Sequence, residues 1–136
     1  MIEVEVVGAR AAPASISTAE VRRLCELVAT RLLLQGGHVA VHFVDAARIT
    51  RLNREHRGLD EPTDVLSFPI DAGEALSLEA TRELGDIVIC PQYTADPREA
   101  VVHGMLHLMG MDHESDDGEM LSLQDELLAL GARPPR

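Results

Sequence analysis

Apolar residues recur along this chain in two rhythms, and the changes of rhythm mark its elements. Residues 2–7, IEVEVV, alternate in the manner of a half-buried strand. From Ser17 or Thr18, either able to cap a helix, Val21, Leu24, Cys25, Val28 and Leu32 follow a three-to-four spacing. That spacing predicts a helix to about Gln35, stopped by Gly36-Gly37. HVAVHFV (38–44) predicts a second strand with Val39, Val41 and Phe43 on one face. Asp45 suits the N-cap of a helix through about Glu55, with Ile49 and Leu52 facing inwards and arginines facing out. A turn at Gly58–Pro62 precedes the strand VLSFPI (65–70). Residues 71–83 are polar and mixed and predict a mobile loop, and LGDIVIC (84–90) predicts another strand. Asp96-Pro97 is an N-cap followed by proline at the first helical position, opening a helix to about Met109 that Gly110 ends. Ser115 opens a last helix, with Met120, Leu121, Leu123, Leu127, Leu128 and Leu130 apolar, running to Gly131.

The order β-α-β-α-β-β-α-α predicts an α+β fold: a single-domain α/β sandwich whose small, mixed sheet of about four strands is packed by helices. Residues 1–136 are expected to form one domain, long enough to bury a core without disulfides. Cys25 and Cys90 form no C-x-x-C pair and read as small buried apolar residues. There is no basic region followed by an apolar stretch at the N-terminus, and no run approaches a membrane span. A cytoplasmic protein is expected.

The formal net charge of −11 argues against a non-specific nucleic-acid binder. Its distribution changes that picture. Residues 111–126 carry seven acids and no arginine, whereas Arg48, Arg51, Arg54 and Arg57 recur every third residue. The chain has no lysine, so each of its cations is a planar guanidinium fork suited to phosphate. With one tyrosine, two phenylalanines and no tryptophan, base-stacking platforms are not expected.

The chemistry concentrates in HGMLHLMGMDH, residues 103–113. His103 and His107 are four apart and share a helix face. Gly110 lets the chain reverse, so that His113 can fold back as a third ligand. The spacing H-x-x-x-H-x-x-G-x-x-H is that of metzincin zinc sites. Three imidazoles leave a coordination position open, as catalytic zinc sites do. Zinc is the first expectation, and another divalent ion that accepts imidazole is the second. Zinc peptidases follow the first histidine with a glutamate general base, and here Gly104 stands in its place. What remains is a Lewis acid able to lower the pKa of water towards about 7, chemistry suited to a phosphodiester. The charge that develops on the phosphate then needs a cation.

The stretch LNREHRGLDEPTDVLSFPI, residues 52–70, sets Arg57, Asp60, Thr63 and Asp64 directly before an apolar strand, as at a cleft rim. This stretch, LGDIVIC and HGMLHLMGMDHE together resemble, in order and across essentially the whole chain, the YbeY family of bacterial endoribonucleases. The resemblance implies zinc, one ion per chain, held by His103, His107 and His113. It implies a role in activity for Arg57. It implies single-stranded RNA as substrate, in 3′-end maturation of small-subunit (16S) ribosomal RNA and in ribosome quality control. The chain departs from the family in two places. PQYTADPREA replaces a longer, mostly helical insert before the histidine helix, which is about ten residues shorter here, and Met111 stands where tyrosine is usual.

On this reading the metal activates water or a phosphate oxygen and Arg57 holds the scissile phosphate. Asp64, Ser67 and Asp86 are candidates for bonds to the outer nitrogens of the ligand imidazoles. Asp64 and Asp86 could equally cap turns, and Asp112 is either a general base or a turn former. Arg48, Arg51 and Arg54 are candidates for an RNA track, with the acidic C-terminal helix turned away or towards a basic partner such as a ribosomal protein. Two rivals stand beside this reading. One is a ribosome-assembly factor whose zinc is structural, and the other is a general metallohydrolase of small phosphoesters.

Overall fold

A computed structural model of the chain describes residues 2–13, 15–70 and 83–131. The predicted loop at 71–83 lies outside these residues except for Glu83. The elements follow in the expected order: β1 (Glu3–Val7), α1 (Thr18–Arg31), β2 (His38–Phe43), α2 (Ala46–Arg57), β3 (Val65–Pro69), β4 (Glu83–Ile89), α3 (Pro97–Leu108) and α4 (Glu119–Gly131). The strands form one sheet in the order β1-β2-β4-β3. The first two pairings are parallel and β3 runs antiparallel to β4, so the sheet is mixed and the fold is α+β.

Alternation along the strands gives the sheet two unlike faces. Val39, Val41, Ile87 and Ile89 bury one face under Leu24 and Val28 of α1, Val101 and Met105 of α3, and Met120 and Leu127 of α4. The other face carries a smaller cluster beneath α2, built from Ile49, Leu66, Val88 and Cys90. Both cysteines are buried and free, and burial pushes the Cys25 thiol up to about 12. No helix among the described residues is long and apolar enough to cross a membrane.

Two helix ends differ from expectation. α1 stops at Arg31, before Gly36-Gly37, because Leu33 takes the left-handed conformation (φ 61°). The Leu34 N–H then reaches back to the Ala29 carbonyl at 2.8 Å and that of Leu33 to Thr30 at 3.1 Å, the two bonds of a Schellman stop. Leu33 is 87% exposed, while Leu34 turns back onto the core. α4 starts at Glu119 rather than near Ser115. Asp116 sets that start, its carboxylate accepting from the Gly118 and Met120 N–H groups at 2.9 Å each.

Beyond the reach of α2, the second sheet face is polar. His38 on β2 sits between two strands' carboxylates, with Nδ1 2.9 Å from Glu83 and Nε2 3.9 Å from Glu5. The Glu83 hydrogen bond, helped by the charges of Glu83, Glu5 and Glu3 and opposed by partial burial, raises its pKa above the ordinary 6.5. A raised folded value stabilises the protein fully below the unfolded pKa, and that contribution is lost as pH rises through the folded value. The melting-temperature difference between wild type and His38→Gln should therefore be open at pH 5.5 and should close towards pH 9. A gap that widens with pH would reject this linkage.

Candidate metal centre and active-site cleft

α3 is buried on nearly every side, with Ala100, Val101, Val102, Gly104, Met105, Leu106 and Leu108 all in the interior. The Asp96 carboxylate caps its first turn by accepting from the Arg98 N–H, with Pro97 at the first helical position. Glu99, His103 and His107, spaced by four, form a row of this helix that lines a cleft, with Ala100 beside it.

Gly104 lies about 100° around the helix from His103, against Ile87 of β4. A Cβ built there would stand 2.6 Å from Ile87 Cγ2, and Ile87 is fully buried. The absence of a side chain thus lets α3 lie directly on the sheet, and the Ser67 hydroxyl on β3 donates to the Gly104 carbonyl at 3.2 Å. Gly104→Ala should destabilise the fold by about 1–3 kcal/mol through overpacking, read from the urea midpoint. Wild-type stability would mean that Ile87 moves aside at no cost.

Beyond Leu108 the chain reverses through a second Schellman turn. Gly110 adopts φ 91°, its N–H bonds the His107 carbonyl at 3.0 Å, and the Met111 N–H bonds that of Leu106 at 3.1 Å. The reversal returns His113 to the other two imidazoles, with ring centroids 5.2 Å from His103 and 5.6 Å from His107. Ligand nitrogens of all three lie within 4.8 Å of one another.

The hydrogen bonds fix the tautomers. His107 Nδ1 lies 2.9 Å from the Met111 carbonyl, which can only accept, so Nδ1 carries the proton. His103 Nδ1 likewise donates to Gln124 Oε1 at 2.8 Å. The two Nε2 atoms then present bare lone pairs to each other at 3.1 Å, an arrangement that a shared cation resolves. Burial, then the neighbouring His103, lowers the His107 pKa and favours the neutral ring that ligation requires. Three converging imidazoles fit a divalent metal ion.

The cleft has a volume of about 490 Å3. Arg57, Thr63, Asp64 and Ser67 line it opposite the histidine row, so α2 and β3 supply its second wall. Arg57 is the sole guanidinium among its described lining residues, against the carboxylates of Asp64, Asp96, Glu99, Asp112 and Glu114. Such a field welcomes a cation and admits phosphate only beside Arg57 or a bound metal. Asn53, buried in α2, holds this rim by donating to the Glu61 carbonyl at 2.9 Å.

The partners of the imidazoles are not those expected. Asp64 lines the cleft, but its carboxylate accepts from the Val65 N–H at 2.8 Å and caps its own strand. Ser67 bonds the α3 backbone rather than a ring. Asp86 lies on the opposite sheet face, 2.9 Å from His42 Nε2, because its place in the strand alternation turns it away from α3. Gln124 and the Met111 carbonyl take their places. Gln124 was legible in principle, as a polar residue in the buried Met120–Gln124–Leu127 row of α4. Met111 acts through its backbone, so that bond does not depend on its side chain. Asp112 is a turn former: its carboxylate accepts from the Glu114 N–H at 3.0 Å, which lowers its pKa.

The arginine row divides. Three residues advance an α-helix by about 300°, so each step drifts by about 60°. Arg57 reaches the cleft, Arg54 and Arg51 line a neighbouring hollow, and Arg48 lines neither. A short 3-10 turn, Pro91–Tyr93, leads from β4 towards α3.

Known proteins are similar to this chain. The family profile described as "Endoribonuclease YbeY" matches residues 12–130. Curated relatives of the same name include one from Alkalilimnicola ehrlichii, 44% identical over 123 residues, covering 76% of this chain and 74% of the relative. Another, from Halorhodospira halophila, is 39% identical over 118 residues, covering 74% of this chain and 75% of the relative. The solution structure of TM1509 from Thermotoga maritima superposes with a TM-score of 0.55 at 26% identity, over 96% of this chain and 89% of that one. With a profile match across most of its length and relatives at this identity, the chain belongs to the YbeY family.

Proposed function

We propose that this protein is a zinc-dependent, single-strand-specific endoribonuclease acting in 3′-end maturation of 16S ribosomal RNA and in ribosome quality control. We place it in the cytoplasm, with residues 1–136 as one metal-dependent hydrolase domain and the small ribosomal subunit or a ribosomal protein as partner. The observation that carries the reading is the convergence of three imidazoles, two with bare Nε2 atoms 3.1 Å apart, in a cleft with Arg57 on its far wall. Family membership supports RNA as the substrate.

In this mechanism His103, His107 and His113 hold the ion. When bound, it supplies Lewis acidity, which acidifies water and polarises a phosphoryl oxygen. Arg57 grips the scissile phosphate and stabilises the charge that grows on it. Gln124 and the Met111 carbonyl keep the ligand rings in one tautomer and orientation. Ser67 fixes the height of α3 against β3.

The test is cleavage of a precursor of the 16S 3′ end by the purified chain, as a single strand and annealed to its complement. Cutting of the single strand alone, lost on chelation and restored by zinc, is the expected result. Hydrolysis of generic phosphoesters with RNA untouched would replace this reading with the general metallohydrolase. No turnover of either, from folded zinc-loaded protein, would leave the assembly factor.

A further inference from the structure

A second hollow, of about 400 Å3, adjoins the cleft and has no part in the mechanism above. Arg51 and Arg54 line one side, on successive turns of α2. Tyr93, the only tyrosine in the chain, lines it too and is 53% exposed. The ridge between hollow and cleft is short. Pro62 and Tyr93 line the hollow, while their neighbours Thr63 and Thr94 line the cleft. The ridge is also tied together, since the Cys90 N–H donates to the Asp64 carbonyl at 2.9 Å and the Thr94 hydroxyl to the Cys90 carbonyl at 2.7 Å.

We propose that this hollow is a nucleotide subsite, with one base of single-stranded RNA stacked on Tyr93 and its phosphate held by Arg51 and Arg54. The subsite rests on the endoribonuclease reading and extends it past the reacting phosphate. An exposed aromatic ring beside guanidinium groups is the usual platform for an unpaired base. Five carboxylates line the catalytic cleft, so a strand leaving Arg57 gains by crossing the ridge towards the next two arginines of α2. Asp60, 3.4 Å from Arg54, is the described acid that competes for this site, and both side chains are more than half exposed. Arg51 forms no ion pair with any described carboxylate. Few aromatics limit how many bases can stack, but one well-placed ring serves one base.

The chain has no tryptophan, so Tyr93 is its own fluorescent reporter. The full chain is titrated with single-stranded octa-adenylate and with an abasic oligomer of equal length, each checked on a gel for integrity. Octa-adenylate should quench Tyr93 emission and the abasic strand should not. With affinities read from the anisotropy of an end-labelled strand, Tyr93→Ala should bind octa-adenylate roughly tenfold more weakly, while Tyr93→Phe stays within about twofold of wild type. Arg51→Ala with Arg54→Ala should reduce the logarithmic salt slope by about 1.4. Binding without quenching, or wild-type affinity in Tyr93→Ala, overturns the subsite. If the 16S precursor is still cut in that case, the subsite alone is lost. If the protein neither binds nor cuts RNA, the endoribonuclease reading falls with it.

Discussion

Arg57→Ala is expected to slow cleavage of single-stranded RNA by about 10²–10³-fold while the protein still takes up one zinc ion. The two readouts separate because Arg57 is not one of the three side chains that would hold the ion. It is the last residue of α2, and Gly58 follows in the left-handed conformation (φ 72°), so the side chain leaves the helix end and lines the cleft. Arg57 is exposed, and truncating an exposed side chain seldom changes stability by more than about 0.5 kcal/mol. A fall in rate therefore reports on transition-state charge rather than on folding. Arg57→Lys should recover only part of the rate, since an ammonium keeps the charge and loses the fork. Rates are measured under single turnover, with zinc content determined on the same samples. Wild-type rates in folded Arg57→Ala would remove this residue from the chemistry.

The second large effect is on the metal. His107→Ala should abolish stoichiometric zinc binding, since it removes the ligand midway between His103 and the turn that carries His113. Gln124→Leu is the sharper test. It keeps all three imidazoles and should still lower zinc affinity by about 10–100-fold. Gln124 is 5% exposed and receives the Nδ1 proton of His103, so leucine leaves that N–H without an acceptor in the interior. Gln124→Glu offers a carboxylate oxygen at the same place and should restore much of the affinity. Competition with a chromophoric chelator measures all of these. If Gln124→Leu binds zinc like wild type, the bond to His103 has no part in holding the site.

Most of the architecture could be read in the one-dimensional pattern, because strand alternation and helical spacing report directly which face is buried. The three histidines were legible for the same reason: their spacing encodes proximity on a helix and across one turn. What could not be read needed a third dimension. Asp86 lies beside a glycine, at the start of a strand and near motif residues in the sequence, yet the pleat sends it to the other side of the sheet. Gln124 comes to His103 from 21 residues away, through helix packing that no local spacing records. The arginine row looked like a single stripe, but a period of three is not the helical period, and the stripe winds around α2. The end of α1 was missed because a leucine occupies the left-handed position where glycine is usual.

The contact between Gly104 and Ile87 bears on how this chemistry can change over evolutionary time. The histidine spacing is shared with zinc peptidases, so a single substitution to glutamate at position 104 would complete their motif on paper. Here the first carbon of that side chain would already stand 2.6 Å from a buried isoleucine. A mutational route from this nuclease scaffold to a peptidase through position 104 therefore has to open space between the helix and its strand. The motif is one step away in sequence, and the activity is separated from it by a rearrangement of the core.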